Sequence, residues 1–304
     1  MESTYHTPVM LAEVITALQI IPSGVYVDCT LGGGGHATAM LNQLGSQGRL
    51  VVFDQDVDAK QNVPEDARVI FVHQNFRHIQ KMLRLHGITQ VNGLLADLGV
   101  SSHQFDAAER GFSTRFNAML DMRMDSRNST TAAHIVNTYT QLQLHKVMEQ
   151  YGEVTNAKTL ATAIVTARTL QPITTIEGFK NVLVPFTKGN PNKYYAQVFQ
   201  ALRIAVNEEL QALQELLAQL PTILAPQARV AIITFHSLED RLVKLFFKKG
   251  NFNDDNQIDE NPFSTITTNA PLKNLTKKPI EATAEELKKN PRSRSAKLRI
   301  ATTN

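Results

Sequence analysis

Thr30-Leu31-Gly32-Gly33-Gly34-Gly35-His36 follows the β-branched and aromatic run Val25-Tyr26-Val27 and opens onto a helical pattern over His36–Leu44. Glycines at a strand-to-helix turn remove every Cβ from the place where backbone would meet a ligand. Four in succession also cost conformational entropy that a merely tight turn would avoid, so Gly32–Gly35 predicts a ligand-binding turn. Leu50–Phe53, Val69–Val72 and Gly93–Leu98 read as further short apolar strands, and Val9–Gln19 and Ile79–Leu85 as helices. Short apolar strands alternating with helices need crossovers and cover on both faces. They predict a parallel, doubly wound, Rossmann-like α/β sheet.

The pattern changes after Val100. Ser101–Asn128 is polar without a clear period, and Thr130–Val184 holds short helical patterns with no convincing strand. Tyr194–Leu220 predicts one long helix, with Val198, Leu202, Ala205, Leu210, Leu213 and Leu217 on one stripe and Pro221 closing it. Val230–Phe235 is again a buried strand, so the sheet resumes after a helical insertion. The expected division is residues 1–105 and 201–304 for the core and 106–200 for an inserted helical substrate-recognition domain. Asn251–Asn290 reads as polar loop, and Ala296–Ile300 alternates apolar with basic as an edge strand would.

With 304 residues, 42% of them hydrophobic, the chain can bury a real core. It holds no uninterrupted apolar run of the roughly 18 to 20 residues that a membrane-spanning helix needs. Met1–Met10 is polar and carries Pro8 where a secretory signal would need a basic start and an apolar run. The single cysteine, Cys29, excludes an internal disulfide and a cysteine-rich metal site, so a cytoplasmic location is expected. A net charge of +3 is too small to announce a nucleic-acid binder. Its distribution says more: from Lys273 to Arg299, Lys273, Lys277, Lys278, Lys288, Lys289, Arg292, Arg294, Lys297 and Arg299 outnumber Glu281, Glu285 and Glu286. That end could meet a phosphate backbone, or be a solvated face.

Gly32, Gly34 and Ala37 also satisfy the G-x-G-x-x-A dinucleotide pattern, with Asp54 where a ribose-binding acid should lie. Asp28, just before the turn, tilts the choice. A pyrophosphate at that helix start would find a carboxylate unwelcome, whereas a cationic sulfonium would find it favourable. Asp54 suits the two ribose hydroxyls because an ionised carboxylate offers two acceptor oxygens. Asp56 reads as a helix amino-cap. Asp97 ends a buried strand, where open α/β sheets bind ligands, and is the leading candidate near the reacting atoms, with a loop cap as the bland alternative. Phe76 could cover an adenine ring or be an ordinary core aromatic. Ser237-Leu238-Glu239-Asp240 resembles a helix start, so Ser237 and Asp240 read as caps, and His236 before them as either a substrate contact or a structural histidine. No spacing of His, Asp or Glu suggests a metal site, and no G-x-S-x-G suggests a hydrolase.

Taken together, these residues make the chain resemble the MraW family of ribosomal RNA small-subunit methyltransferases, also called methyltransferase H. The likeness runs through His6–Met10, Thr30–His36, Asp97–Ser102, Glu109–Ser113, Leu120–Asp125, Phe199–Ile204, Phe235–Arg241 and Asn290–Ser295. It implies a class I S-adenosylmethionine-dependent methyltransferase core interrupted by a helical domain, acting on N4 of a decoding-centre cytosine in 16S ribosomal RNA. It implies cofactor contacts at Gly34, Gly35, His36, Asp54, Phe76, Asp97 and Gln104, the last on resemblance alone. Asn192–Val198 departs from the Pro-Ala-Thr-Arg-like sequence the family more often carries, so no substrate contact is carried over to it.

Methyl transfer from a sulfonium is an in-line displacement, so holding donor and acceptor at near-attack distance supplies most of the catalysis and no metal is required. The cytosine amino nitrogen is a poor nucleophile, and an acceptor gripping its hydrogens, Asp97 or a backbone carbonyl beside it, should help it pyramidalise. DNA amino methyltransferases often use Asp-Pro-Pro-Tyr here, whose aromatic stacks the base; this chain has Asp-Leu-Gly-Val. Methylation at cytosine C5 would need a cysteine nucleophile, and Cys29 lies in the cofactor strand instead. The helical insertion and the basic segment would contact RNA, mostly at phosphate, with the target base unstacked. Two other readings stay open on sequence: a nicotinamide-dependent oxidoreductase using the same turn, and a non-catalytic RNA-binding assembly factor. So do the oligomeric state, a homodimer included, and whether free RNA or the assembled small subunit is the substrate.

Overall fold

A computed structural model describes residues 8–253 and 270–303. His6 and Thr7 of the family-like opening, and 254–269 of the expected polar loop, lie outside the described residues. The chain divides into two compact units, Met1–Gly99 with Leu210–Asn304, and Val100–Glu209.

The first unit is an α/β sandwich. It begins α1 (Leu11–Leu18), β1 (Val25–Asp28), α2 (Gly35–Leu41), β2 (Arg49–Asp54), β3 (Val69–His73), α3 (Ile79–Leu85) and β4 (Val91–Asp97). The alternation along each strand decides what covers each face. Val27, Val51, Phe53, Leu94 and Ala96 join one apolar cluster with Ile79 and Leu83 of α3, whereas Tyr26, Leu50, Val52 and Leu95 join another with Val14 and Leu18 of α1 and Ala37 and Met40 of α2. Sheet faces that are both apolar need helices on both sides, and they have them.

The second unit is helical, with α4 (Ser102–Asp106), α5 (Ala132–Thr138), α6 (Gln141–Gln150), α7 (Ala157–Leu170), α8 (Ile176–Leu183) and α9 (Pro191–Asn207). Its own core gathers Ile135, Leu144, Met148, Leu160, Phe179, Val198 and Leu202, and Phe179 meets Phe199 with ring centroids 5.8 Å apart. Among the described residues of this unit the strand content is a single bridge, Met119 to Thr175.

The chain then returns to the first unit through α10 (Glu209–Ile223), β5 (Leu224–Thr234), α11 (Ser237–Lys249), β6 (Lys273–Asn274), β7 (Ile280–Glu281), α12 (Ala284–Lys289) and β8 (Lys297–Thr302). The completed sheet runs β3-β2-β1-β4-β5-β8-β6, with β7 also on β8. β1 to β5 are parallel and β8 lies antiparallel to β5. The order reverses between β1 and β4, which is where an open α/β sheet leaves a crevice at its carboxyl edge. Asp28 and Asp97 are the last residues of those two strands.

Several local expectations need correction. The long helix expected over Tyr194–Leu220 is two, because Glu208 sits at φ 50, ψ 37, the left-handed region that interrupts a helix. Asn207 is turned into the second unit there: its amide nitrogen donates to the Met122 carbonyl at 2.8 Å and its oxygen accepts the Met124 N–H at 2.7 Å. Pro221 lies inside α10, near its end, where its missing N–H removes only one late rung. The expected domain break at 200/201 falls within α9, while the compact units divide at Gly99/Val100 and Glu209/Leu210. The segment expected as loop before Asn290 contains β6, β7 and α12 among its described residues. Ala296–Ile300 is not an edge either, since β8 has β5 on one side and β6 and β7 on the other.

Candidate active site

The glycine turn is shaped by its neighbours within the protein. Gly32 and Gly34 take φ 48 and φ 77, left-handed values that side chains resist. A Cβ on Gly34 would strike the carbonyl oxygen of Asn62, and one on Gly35 the ring of Pro8. Asn62 is pinned there because its amide nitrogen donates to the Gly32 carbonyl at 2.7 Å. Gly33 differs: no heavy atom lies within 4 Å of where its Cβ would point. Two of the glycines are therefore demanded by the fold, and Gly33 lies on an open face of the turn.

Asp54, at the end of β2, braces the turn from below. Its Oδ2 accepts the Gly32 N–H at 2.9 Å and its Oδ1 the Asp56 N–H at 2.9 Å, which leaves each oxygen further lone-pair capacity. Burial nevertheless pushes its carboxyl up to about 6. Asp56 caps the following turn by accepting the Asp58 N–H, as its sequence position suggested. Phe76 begins the turn after β3, half-buried against the core on one side of the sheet.

At the switch point the acids gather. Asp28 is wholly buried; its Oδ1 accepts the Thr30 N–H at 3.0 Å and its Oδ2 has no partner, and burial drives its carboxyl up to about 7. Thr30 joins the two strand ends, for its hydroxyl oxygen accepts the Asp97 N–H at 2.7 Å. Asp97 is raised well above the usual carboxylate range, by burial first and then by Asp28, Glu239 and Glu286. Its Oδ1 is buried without a partner, although 22% of the side chain stays open, which lessens the shift. His36 is fastened beside it, Nε2 3.0 Å from the Val9 carbonyl and Nδ1 3.7 Å from Asp97 Oδ2, and burial lowers its imidazole to about 4.

The carboxyl edge is completed from α11 and α12. His236 itself caps α11, its Nδ1 accepting the Glu239 N–H at 3.4 Å, so the cap expected at Ser237 belongs one residue earlier. Its Nε2 is 3.2 Å from Glu239 Oε1, without the alignment of a hydrogen bond. Glu239 is buried and its Oε2 accepts the Phe235 N–H at 2.9 Å. Asp240 is no cap: it pairs with the buried Arg299, 2.6 Å from Nε. Glu286 accepts the Met10 N–H at 2.7 Å. Gln104 stands in the second unit, where it closes a capping box with Ser101 at 3.0 and 3.2 Å.

Gly32–Gly35, Asp28, His36, Asp54 and Asp97 thus share one edge of one sheet, as the sequence reading proposed. Thr30, Asn62, Glu239 and Glu286 were missed. Thr30 had a signal, a hydroxyl between the strand acid and the glycines, and Glu239 stood inside the helix-start motif after His236; Asn62 and Glu286 act across 30 and 276 residues and had none.

A model of the MraW methylase family matches residues 3–304. The chain belongs to the MraW methylase family. Ribosomal RNA small subunit methyltransferase H of Parabacteroides distasonis is 51% identical over 302 residues, covering 99% of this chain and 98% of that one. The proteins of the same name from Bacteroides thetaiotaomicron and Cytophaga hutchinsonii are each 49% identical, over 99% and 98% of this chain and 98% and 99% of their own lengths. The nicotinamide-dependent reading loses its footing with a methylase family spanning the whole core.

Proposed function

We propose that this MraW-family chain transfers a methyl group from S-adenosylmethionine to the N4 amino group of a cytosine in 16S ribosomal RNA. The observation that carries the reading is the pair of buried, unpartnered carboxylate oxygens at the switch point, Asp28 Oδ2 and Asp97 Oδ1. Two acids held out of water with no counter-charge are costly unless a cation joins them, and a sulfonium or an amino-acid ammonium is such a cation. A diphosphate would make the repulsion worse.

Bound there, the cofactor supplies an electrophilic methyl group. Asp54 has lone pairs left for ribose hydroxyls, Gly33 gives backbone approach, Gly34 and Gly35 hold the turn's path, and Phe76 covers the adenine. His36 supports Asp97, which receives the hydrogens of the substrate amine; Gln104 of the helical unit is assigned on the family's pattern alone. Cys29 is buried within the strand end, its N–H bonded to the Leu95 carbonyl at 2.8 Å, and burial pushes its thiol pKa well up. That argues against nucleophilic attack at cytosine C6 and for methylation at the amine.

The helical unit and the exposed Lys277, Lys278, Lys288, Arg292 and Arg294 supply RNA contacts. Of the other basic residues of that segment, Lys273 and Lys297 lie on β6 and β8, Lys297 3.9 Å from Asp240, while Arg299 is buried on Asp240 and Lys289 is paired to Glu285 at 2.8 Å. The assembled small subunit is the proposed form of the substrate, and the cytoplasm the place of action. Light scattering decides between a monomer and a homodimer. Label transfer from S-adenosylmethionine into small-subunit RNA, with the modified base mapped by mass spectrometry, tests the reading. A wild-type protein that transfers no label would leave only a non-catalytic factor, and label on carbon would refute the amine as acceptor.

A further inference from the structure

We propose that Asp97 is the group that finally takes the proton released by the substrate amine, and that His36 is a positioning residue that receives the acid form of Asp97. The inference rests on the methyl-transfer reading above. The orientation of the imidazole carries it. A carbonyl oxygen can only accept, so the 3.0 Å contact of His36 Nε2 with the Val9 carbonyl puts the ring hydrogen on Nε2. The neutral ring must then present a lone pair at Nδ1, and Asp97 Oδ2 lies 3.7 Å from that nitrogen. Against a carboxylate this contact sets lone pair to lone pair. A carboxylic acid can instead donate from Oδ2 to Nδ1 once the two side chains close from 3.7 Å to hydrogen-bonding distance, with Oδ1 still bare.

The groups around Asp97 favour the same form. Asp28 faces it from β1, Glu239 from α11 and Glu286 from α12, and the neutral His36 from α2. Three acids and no cation make a proton on Asp97 the cheapest neutralisation in the free protein. A cation beside Oδ1 reverses the preference and displaces that proton. In the reaction the N4–C bond forms as the S–C bond breaks, sulfur keeps the bonding pair and becomes neutral, and the amine's positive charge is discharged by loss of one N4 proton. Carboxylate, amine and sulfonium become carboxylic acid, methylamine and thioether, so charge and atoms balance. The proton replaces the sulfonium charge at one carboxylate, and the acid then closes onto His36 Nδ1. The pocket thereby binds the charged donor better than its uncharged product.

Calorimetric titration of the wild-type chain with S-adenosylmethionine and with S-adenosylhomocysteine, in two buffers of different ionisation enthalpy, reads the protons displaced. The donor is expected to release more protons than the product, and its affinity to rise by up to about tenfold per pH unit near neutrality, the limit for one displaced proton. Asp97→Asn, which can still donate to Nδ1, should remove most of that difference. His36→Gln, which can still reach Val9 but has no Nδ1, should reduce it and move the acid limb of the rate profile to lower pH; a purely structural role would lower the rate equally at every pH. Equal proton release by the two ligands in the wild type, or an undiminished difference in Asp97→Asn, would overturn the inference while leaving the methyltransferase standing. Binding of neither ligand would overturn both.

Discussion

One added methyl group separates the glycines that the fold needs from the glycine that a ligand needs. In Gly34→Ala the new side chain must occupy φ 77, a left-handed conformation costing about 1–2 kcal/mol. It also meets the backbone oxygen of Asn62, which the bond to Gly32 keeps from stepping aside, adding roughly 1–3 kcal/mol of overpacking. The expected loss is about 2–5 kcal/mol, or a melting temperature lower by roughly 10 °C in a protein of this size. Gly33→Ala meets no atom within 4 Å and no left-handed φ, so it should be neutral or more stable by roughly 0.4–1 kcal/mol. Its methyl group stands instead where the cofactor must approach. A clash of about 1–3 kcal/mol there weakens S-adenosylhomocysteine roughly 5- to 150-fold. Calorimetric melting and ligand titration on the two variants give a crossed result: one unstable, the other stable but poor at binding. Wild-type affinity in Gly33→Ala would refute the open face as the cofactor's approach, and wild-type melting in Gly34→Ala would refute the packing argument.

Stability of the ligand-free protein should fall as pH rises. Asp28 and Asp54 have folded values raised to about 7 and about 6, so their contribution is complete below their unfolded values and lost as pH climbs through the folded ones. His36, lowered to about 4, works oppositely between its ordinary value and that figure, but the raised acids outnumber it. Melting curves across this range should slope downward, and Asp28→Asn should flatten the upper part; an upward slope would contradict the burial of these acids. Asp240→Ala leaves Arg299 charged and buried and should cost about 3–5 kcal/mol in urea denaturation, whereas Asp240→Ala with Arg299→Met should recover most of it. Thr30→Val removes the acceptor for the Asp97 N–H, at roughly 1–3 kcal/mol, and should lose methyl transfer; Thr30→Ser should restore both, and a fully active valine variant would dismiss the bridge. Replacing Lys277, Lys278, Lys288, Arg292 and Arg294 together should flatten the salt dependence of RNA binding by about 0.7–0.9 in slope for each residue that contacts phosphate, and an unchanged slope would remove this segment from the interface.

Local chemistry made much of this molecule legible before its tertiary structure was known. The unbroken apolar runs Val25–Val27, Leu50–Phe53 and Val230–Ile233 announced strands buried on both faces, because successive strand side chains point to opposite sides of the sheet and here both kinds are apolar. The glycine turn and the acids at the strand ends followed from their positions relative to those strands. Periodicity failed where it continued through a break: the apolar stripe runs past Glu208, yet Asn207 is captured by Met124, 83 residues away. It failed again at β8, where alternating basic residues looked like a solvent-facing edge but Arg299 points inward to Asp240. Sequence alone thus determined the α/β core, the glycine turn at its first strand-to-helix junction and the acids placed around it. The tertiary structure decided which of those groups lack a counter-charge, which nitrogen of His36 faces Asp97, and why Gly34 and Gly35 cannot be replaced. Those properties depend on burial and on distances of a few ångströms between residues far apart in the chain, and no local pattern encodes them.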